Sequence, residues 1–378
     1  MKALAITTTV ALGLIAAATG WFIIRSDPMG GEPVVVVEID PESRPAAGSA
    51  RAPVPDVKEI PQRVPPPQTA PVQKALPAQA FSGTIGATAS QPVPAAAENA
   101  GAADIRLPPV PVRAVVEKSR YGPLPRIADD GRQPSQVYAR PVNGGVKPGP
   151  GQPARIAILI SGMGLSEIAT TQAIDSLPGP VSLAFGPYGR NLDGWVRKAR
   201  DMGHEVMLQV PLEPFDYPDN DPGPHTLLTS LSPEDNIKRL HWIMSRFTGY
   251  TGITNHMGAK FAAAQDAFLP VLEEVKSRGL LYLDDGTASA STAGQIARDL
   301  GLDYSVSHIV IDEERNATEI DLALIKLETL AQEKGIAIGI GSNLPLTIGR
   351  ISQWLARLKS KGIELVPVSA AVRSGQQS

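Results

Sequence analysis

A chain of 378 residues with no cysteine and a net charge of −3 excludes disulfides, thiolate metal sites and a cysteine nucleophile, and gives no basis for nucleic-acid binding. Its prolines divide it: 24 of the 36 fall between positions 26 and 154, and 12 are spread over the 224 residues that follow. That asymmetry predicts one folded domain over about 155–373, long enough to bury a full core.

Residues 3–24, ALAITTTVALGLIAAATGWFII, form an uncharged run flanked by Lys2 and Arg25. As a helix it rises about 33 Å, enough to cross a bilayer's hydrocarbon core. Ala16-Ala17-Ala18 could serve as a cleavage site, yet the apolar run continues through Trp21, Phe22 and Ile24, which favours an uncleaved anchor. The expectation is a single-pass anchor over 1–25 in a bacterial cytoplasmic (inner) membrane, with the C-terminal domain in the periplasm. Residues 26–119, with RVPPPQ and LPPVPV, have too little apolar bulk to offset their ordering entropy and read as a disordered Pro-rich linker. At about 3.1 Å per residue such a linker reaches well over 100 Å, far enough to touch a cell-wall layer. Residues 120–154, richer in Tyr and Arg at their start, read as an ordered lead-in.

From Arg155 the chain alternates apolar runs with amphipathic ones. RIAILIS is followed by SEIATTQAIDSL with Ser166 as a helix cap, and VSLAFGP by a helix opening on Asn191 and closing on Gly203. HEVMLQVPLEP, YTGITNHMG, LLYLDDG, YSVSHIVID, IAIGIGS and IELVPVSA then read as strands with helices between them. Strands apolar on both faces are parallel strands covered by helices, and about seven or eight βα units predict an α/β fold closed as a barrel. In such a fold the chemistry gathers where strands end, at Ser161-Gly162, Pro187-Tyr188, Gln209 with Glu213, Asn255-His256, Asp284-Asp285, Asp312 and Ser342-Asn343.

In order and spacing, GHEVMLQVPLEPFDYPDNDPGPHTLL, GITNHMGAKF, GLLYLDDG, AIGIGSNLPLTI and LVPVSA resemble the divergent polysaccharide deacetylase family over about 155–372. The resemblance implies a deacetylase-type (β/α) barrel of about seven strands and, as parent activity, hydrolysis of an acetyl group from a polysaccharide. Members with an intact site carry an Asp pair ending the first strand and histidines on the third strand, in NHMG and after the late strand, which build a zinc-type site. Here His256 is retained and Glu213 matches the family's MEP motif. The Asp pair is replaced by Ser161-Gly162, the third-strand His by Gln209 and the late His by Ser342.

A catalytic zinc needs about three N, O or S ligands and an open position for water. Ser, Gly and Gln supply no anionic donor, so no cofactor is expected unless a rearranged site operates. The candidates for such a site are Glu213, His256, Asp284 and Asp285, with zinc or another divalent ion; the bland alternative is a hydrogen-bonded polar network under the loops. A Ser-His-Asp triad from Ser161 or Ser342, His256 and Asp284 lacks a nucleophile elbow. His204 reads as structural, and His241 and His308 as packing.

The loop 213–225 offers Phe215 and Tyr217 as flat faces for a sugar ring and Asp219 and Asp221 as hydroxyl acceptors, with His225 at its end and Asn255 at a strand end as further binding candidates. Four prolines favour a preformed surface, which would serve equally as a brace across the mouth. Two functions follow. One is a membrane-anchored periplasmic barrel that binds envelope polysaccharide or peptidoglycan glycan, or a cell-wall protein, without turnover. The other is an active metal-dependent deacetylase with a rearranged site.

Overall fold

A computed structural model describes residue 105 and residues 107–142 and 152–375, without the side chains of 373–375. The expected anchor and most of the linker lie outside the described residues. Among the described residues no helix is long and apolar enough to cross a membrane.

The ordered part begins earlier than composition predicts. Leu107 and Val115 are buried, and the antiparallel hairpin of β1 (Val116–Ser119) and β2 (Gly122–Pro125) precedes a short helix, α1 (Pro134–Val137). Residues 107–119, assigned above to the linker, are therefore packed. Their prolines masked a few apolar anchors that cluster as Val115, Ala128 and Tyr138.

The domain then alternates strand and helix. In chain order it runs β3 (Ala154–Met163), α2 (Glu167–Ser176), β4 (Ser182–Phe185), α3 (Leu192–Asp201), β5 (Val206–Leu212), α4 (Pro233–Met244) and β6 (Gly252–Met257). Next come α5 (Ala259–Ala263), α6 (Gln265–Ser277), β7 (Leu281–Asp284), α7 (Ala293–Leu300), β8 (Tyr304–Val306), β9 (Ile309–Val310) and α8 (Ala317–Lys334). The chain closes with β10 (Ile336–Ser342), α9 (Pro345–Leu358), β11 (Ile363–Val366) and α10 (Val368–Gly375). Ser166 caps its helix as the sequence places it, and Ser232 and Asn316 likewise each accept a backbone N–H of the helix they open, whereas Asn191 opens its helix without a side-chain cap bond.

All nine strands from β3 onward run parallel in one sheet, in the order β8-β7-β6-β5-β4-β3-β10-β9, with β11 beside the start of β3. The result is a parallel α/β half-barrel. YSVSHIVID is one strand broken in two: β8 pairs with β7 and β9 with β10, with Ser307 and His308 between. IELVPVSA is strand only to Val366; Ser369 and its neighbours are helical, because α10 turns in to cover the sheet's end.

Alternation along the strands divides the core. Ala157, Leu159, Ala184, Met207, Leu281, Leu283, Ile338 and Ile340 face inward and form one cluster with Val368, Ala371 and Val372 of α10. The residues between them, such as Ile156, Ile158, Ile160, Leu208 and Tyr282, pack outward against the helices. One end of the interior is thus closed by α10, and the other opens where the strands run out.

Candidate functional site

The inward series continues past the apolar core to the strands' C-terminal ends, and there it becomes polar. Leu159 leads to Ser161, Met207 to Gln209, Ile340 to Ser342 and Leu283 to Asp285. On β6 the same face carries Thr254, whose Cα partners are Gln209 and Leu283, and then His256. The mouth expected from strand ends is therefore present.

The first-strand end is remodelled around its glycine. The β3–β4 register shifts between Ile160 and Met163, and Gly162 adopts φ +77°, a left-handed value that disfavours side chains. Gly162 N donates to Gln209 Oε1 at 2.7 Å, and Asn343 Nδ2 donates to Gly162 O at 2.8 Å. A Cβ at 162 would lie 3.1 Å from Asn343 Oδ1. Ser161 Oγ donates to Gly341 O at 3.2 Å. Asn343 was noted in sequence only as a strand-end residue; its part in holding this turn had no sequence signal.

The acidic candidates are each engaged locally. Glu213 accepts from Lys260 Nζ at 2.7 Å, from Thr229 N at 2.6 Å and from Thr229 Oγ1 at 2.7 Å. Burial pushes its carboxyl up, but the bonds from Lys260 and Thr229 outweigh that and leave it below the usual glutamate value. Asp284 accepts from Gly286 N at 3.0 Å and Ser291 Oγ at 2.6 Å. Asp285 accepts from Thr287 N at 2.9 Å and Thr287 Oγ1 at 2.7 Å, and burial holds its carboxyl above the usual aspartate range. Asn255 links these turns: its Oδ1 accepts from Tyr282 OH at 3.1 Å and Asp285 N at 2.9 Å, and its Nδ2 donates to Met257 O at 2.8 Å. Asp312 receives Thr347 Oγ1 at 2.7 Å and both the N–H and the hydroxyl of Ser342.

His256 stands apart from these networks. It is exposed at the mouth, and the walls around it dehydrate the ring enough to lower its pKa. Among the described residues it has no hydrogen-bond partner, and no group of three or more His, Asp or Glu side chains is placed to hold a metal ion. The donors at the family's ligand positions do not fit one either: a hydroxyl on a carbonyl, a glycine, an amide oxygen bonded to a backbone N–H, and a serine on Asp312.

The loop 213–225 crosses one side of the mouth. Phe215 is 71% exposed, Tyr217 half-buried and Asp219 and Asp221 exposed. Asp221 Oδ1 accepts from Gly223 N at 2.8 Å, and His225 N donates to Tyr188 OH at 3.0 Å. The His225 ring stacks on Trp242 with centroids 3.6 Å apart and planes 2° from parallel, so it belongs to the support beneath the loop. Among the other histidines, His204 has both ring nitrogens on carbonyls, and His308 Nδ1 accepts from Ile338 N at 3.1 Å. His241 does more than pack: its Nε2 lies 2.6 Å from Glu274 Oε1, in an ion network with Arg278 and Glu117.

Fold and site together define a parallel α/β half-barrel whose mouth is polar and largely internally bonded. The sequence pattern of the divergent polysaccharide deacetylase family matches residues 158–372, more than half of the chain, and the protein belongs to that family. It is 24% identical to the uncharacterized protein YibQ of Escherichia coli K12 over 222 residues, 59% of this chain and 68% of that one. It is 25% identical to an uncharacterized protein of Haemophilus influenzae over 217 residues, 56% of this chain and 75% of that one. Among solved structures, an uncharacterized protein of Agrobacterium tumefaciens C58 is 40% identical with a TM-score of 0.63, covering 66% of this chain and 99% of that one.

Proposed function

We propose that the protein is a glycan-binding member of its family, built on the deacetylase-type barrel, in which hydrogen bonds have replaced the metal site. The bond from Gly162 N to Gln209 Oε1 carries this reading, because it joins two of the family's ligand positions to each other. Among the described residues no group of three or more His, Asp or Glu side chains is placed to hold a metal ion, so no step of the family's metal-assisted hydrolysis is derived. What the barrel retains is an open polar mouth with Phe215 and Tyr217 beside it, a combination suited to sugar rings and their hydroxyls. The apolar run 3–24 and the Pro-rich stretch after it support a periplasmic barrel tethered to the cytoplasmic membrane and reaching envelope polysaccharide or peptidoglycan.

Elemental analysis of the full-length protein, purified in detergent and dialysed against zinc, tests the central part. The expected result is no stoichiometric zinc and no acetate release from acetylated oligosaccharide, with binding of that oligosaccharide retained. Stoichiometric zinc that is lost in His256→Ala would overturn the reading and return the family's hydrolysis to this chain. Protease accessibility in spheroplasts tests the placement: digestion of the barrel only from outside is expected, and protection would refute it.

A further inference from the structure

β8 and β9 are the two edges of the sheet, and in the chain only Ser307 and His308 separate them. The half-barrel therefore closes at this pair, with β8 held to β7 and β9 held to β10. The β9–β10 ladder pairs Ile309 with Gly339 and Val310 with Ile340 and goes no further, so the bonds that extend it matter. His308 supplies two of them. Its backbone N donates to Ile338 O at 2.8 Å, and its ring Nδ1 accepts from Ile338 N at 3.1 Å. Ile338 is 1% exposed, so without the imidazole its N–H would be buried and unpaired. Beyond the pair, Ile311 N donates to Ile340 O at 2.7 Å, and Asp312 holds Ser342 and Thr347 at the rim of the mouth. One seam thus runs from His308 to the mouth.

A strand N–H is ordinarily answered by a carbonyl, which accepts at any pH. An imidazole nitrogen accepts only while it carries no proton, so this bond requires neutral His308 with its hydrogen on Nε2. A proton added at Nδ1 sets one N–H against another. We infer that His308 is an acid-sensitive clasp: when the ring takes up a proton, β9 parts from β10 and the Asp312 edge of the mouth is released. The inference does not depend on what the mouth binds. Among the elements around the ring, β8, β9 and β10 contain no charged residue. At the mouth end of β7, Asp284 is bonded by Gly286 N and Ser291 Oγ. α8 brings Lys334 to act on the ring, and α10 contributes Arg373, whose side chain is outside those described. Burial first, and the Lys334 charge second, hold the His308 value below the ordinary 6.5. The unlatched ring therefore binds its proton at higher pH than the latched one. The clasp is fully closed above about pH 6.5 and weakens as pH falls below that.

Amide hydrogen exchange of the full-length protein in detergent, read by mass spectrometry on peptides and corrected for the intrinsic effect of pH, tests this. Between about pH 7.5 and about pH 5, protection of the peptides spanning 304–312 and 336–342 is expected to fall about tenfold, while that of β5 holds. His308→Asn offers a carboxamide oxygen that accepts without titrating, and is expected to keep both seam peptides equally protected at the two pH values. Unchanged seam protection in the unmutated protein would overturn the clasp, as would a fall shared equally by β5, the mark of general weakening by acid. A fall that persists undiminished in His308→Asn would overturn it too. Where that variant does not fold, the seam and β5 peptides of the unmutated protein decide between the clasp and its refutation.

Discussion

The two ends of the half-barrel treat buried polar groups in opposite ways. At the closed end no buried side-chain polar atom of the described residues lacks a partner. Glu205, fully buried, accepts from Arg140 N at 3.1 Å, Ser369 N at 3.0 Å, Ser369 Oγ at 2.6 Å and Ser182 Oγ at 3.4 Å. Arg200 donates to the carbonyls of Pro108, Tyr138 and Gly249, tying the lead-in to the foot of the sheet. At the open end Thr254 Oγ1 is buried without a partner among the described residues. The contrast separates the two ends: the closed end is a lock among the lead-in, the sheet and α10, and the open end is where polar capacity is left unused among the described residues.

The sharpest way to break that contrast is at Glu205. Glu205→Ala removes a carboxylate that joins three segments and leaves Ser369, Ser182 and the Arg140 backbone without it, so a loss on the order of 3–5 kcal/mol is expected. Urea unfolding followed by tryptophan fluorescence measures it. His256→Ala in the same assay is expected to change stability by less than about 0.5 kcal/mol. Equal losses at the two positions would erase the distinction between the ends.

Acid should weaken the network that joins the lead-in to α4 and α6 through Glu274. The hydrogen bond from His241 and the Arg278 guanidinium lower the Glu274 carboxyl to about 2, against the opposing effect of burial. A depressed carboxylate stabilises the fold fully above its unfolded value near 4.5, and that contribution disappears as pH falls through about 2. Unfolding midpoints between pH 5 and pH 2 are therefore expected to drop by an amount on the order of 2–3 kcal/mol that Glu274→Gln abolishes. A parallel pH slope in the variant would show that Glu274 is not its source.

Next in size is the first-strand turn. Gly162→Ala places a side chain at φ +77° and beside Asn343, at a cost of about 1–2 kcal/mol. Rebuilding the family's ligands as Ser161→Asp, Gly162→Asp and Gln209→His is expected to lower the melting temperature without creating tight zinc binding, because the turn's geometry has changed along with its residues. Nanomolar zinc in that triple variant, by competition with a chromophoric chelator, would show that side chains alone were missing.

Much of this was legible in the sequence. The strands announced themselves as continuous apolar runs, and the polar residues that end them mark the mouth, because inward-facing positions past the core have nothing apolar left to meet. The packed start of the lead-in was not legible, since a few anchors such as Leu107 and Val115 are diluted among prolines. Nor was the unpartnered hydroxyl of Thr254, a residue that is ordinary in any strand until its partners across the sheet are known. Glu205 escaped for the same reason, because its partner Ser369 lies far away in the chain, and the His225–Trp242 stack escaped because it joins a loop to a helix.

The smallest expected effect on stability concerns the loop, and it separates the loop's two possible jobs. Phe215 is 71% exposed, so Phe215→Ala with Tyr217→Ala should change unfolding free energy by less than about 0.5 kcal/mol. The support beneath the loop is independent of both rings. His225 N holds Tyr188 OH, and Gly223 lies so close to the Tyr188 ring that a Cβ there would be 2.3 Å from it. A preformed surface loses affinity only through the contacts removed, so chitotetraose binding should fall about tenfold in the double variant with the fold intact. A brace would behave in the reverse way, with a lowered melting temperature and affinity unchanged in the fraction that stays folded. Measuring both quantities on one preparation decides whether the rings face a ligand or only close the barrel's rim.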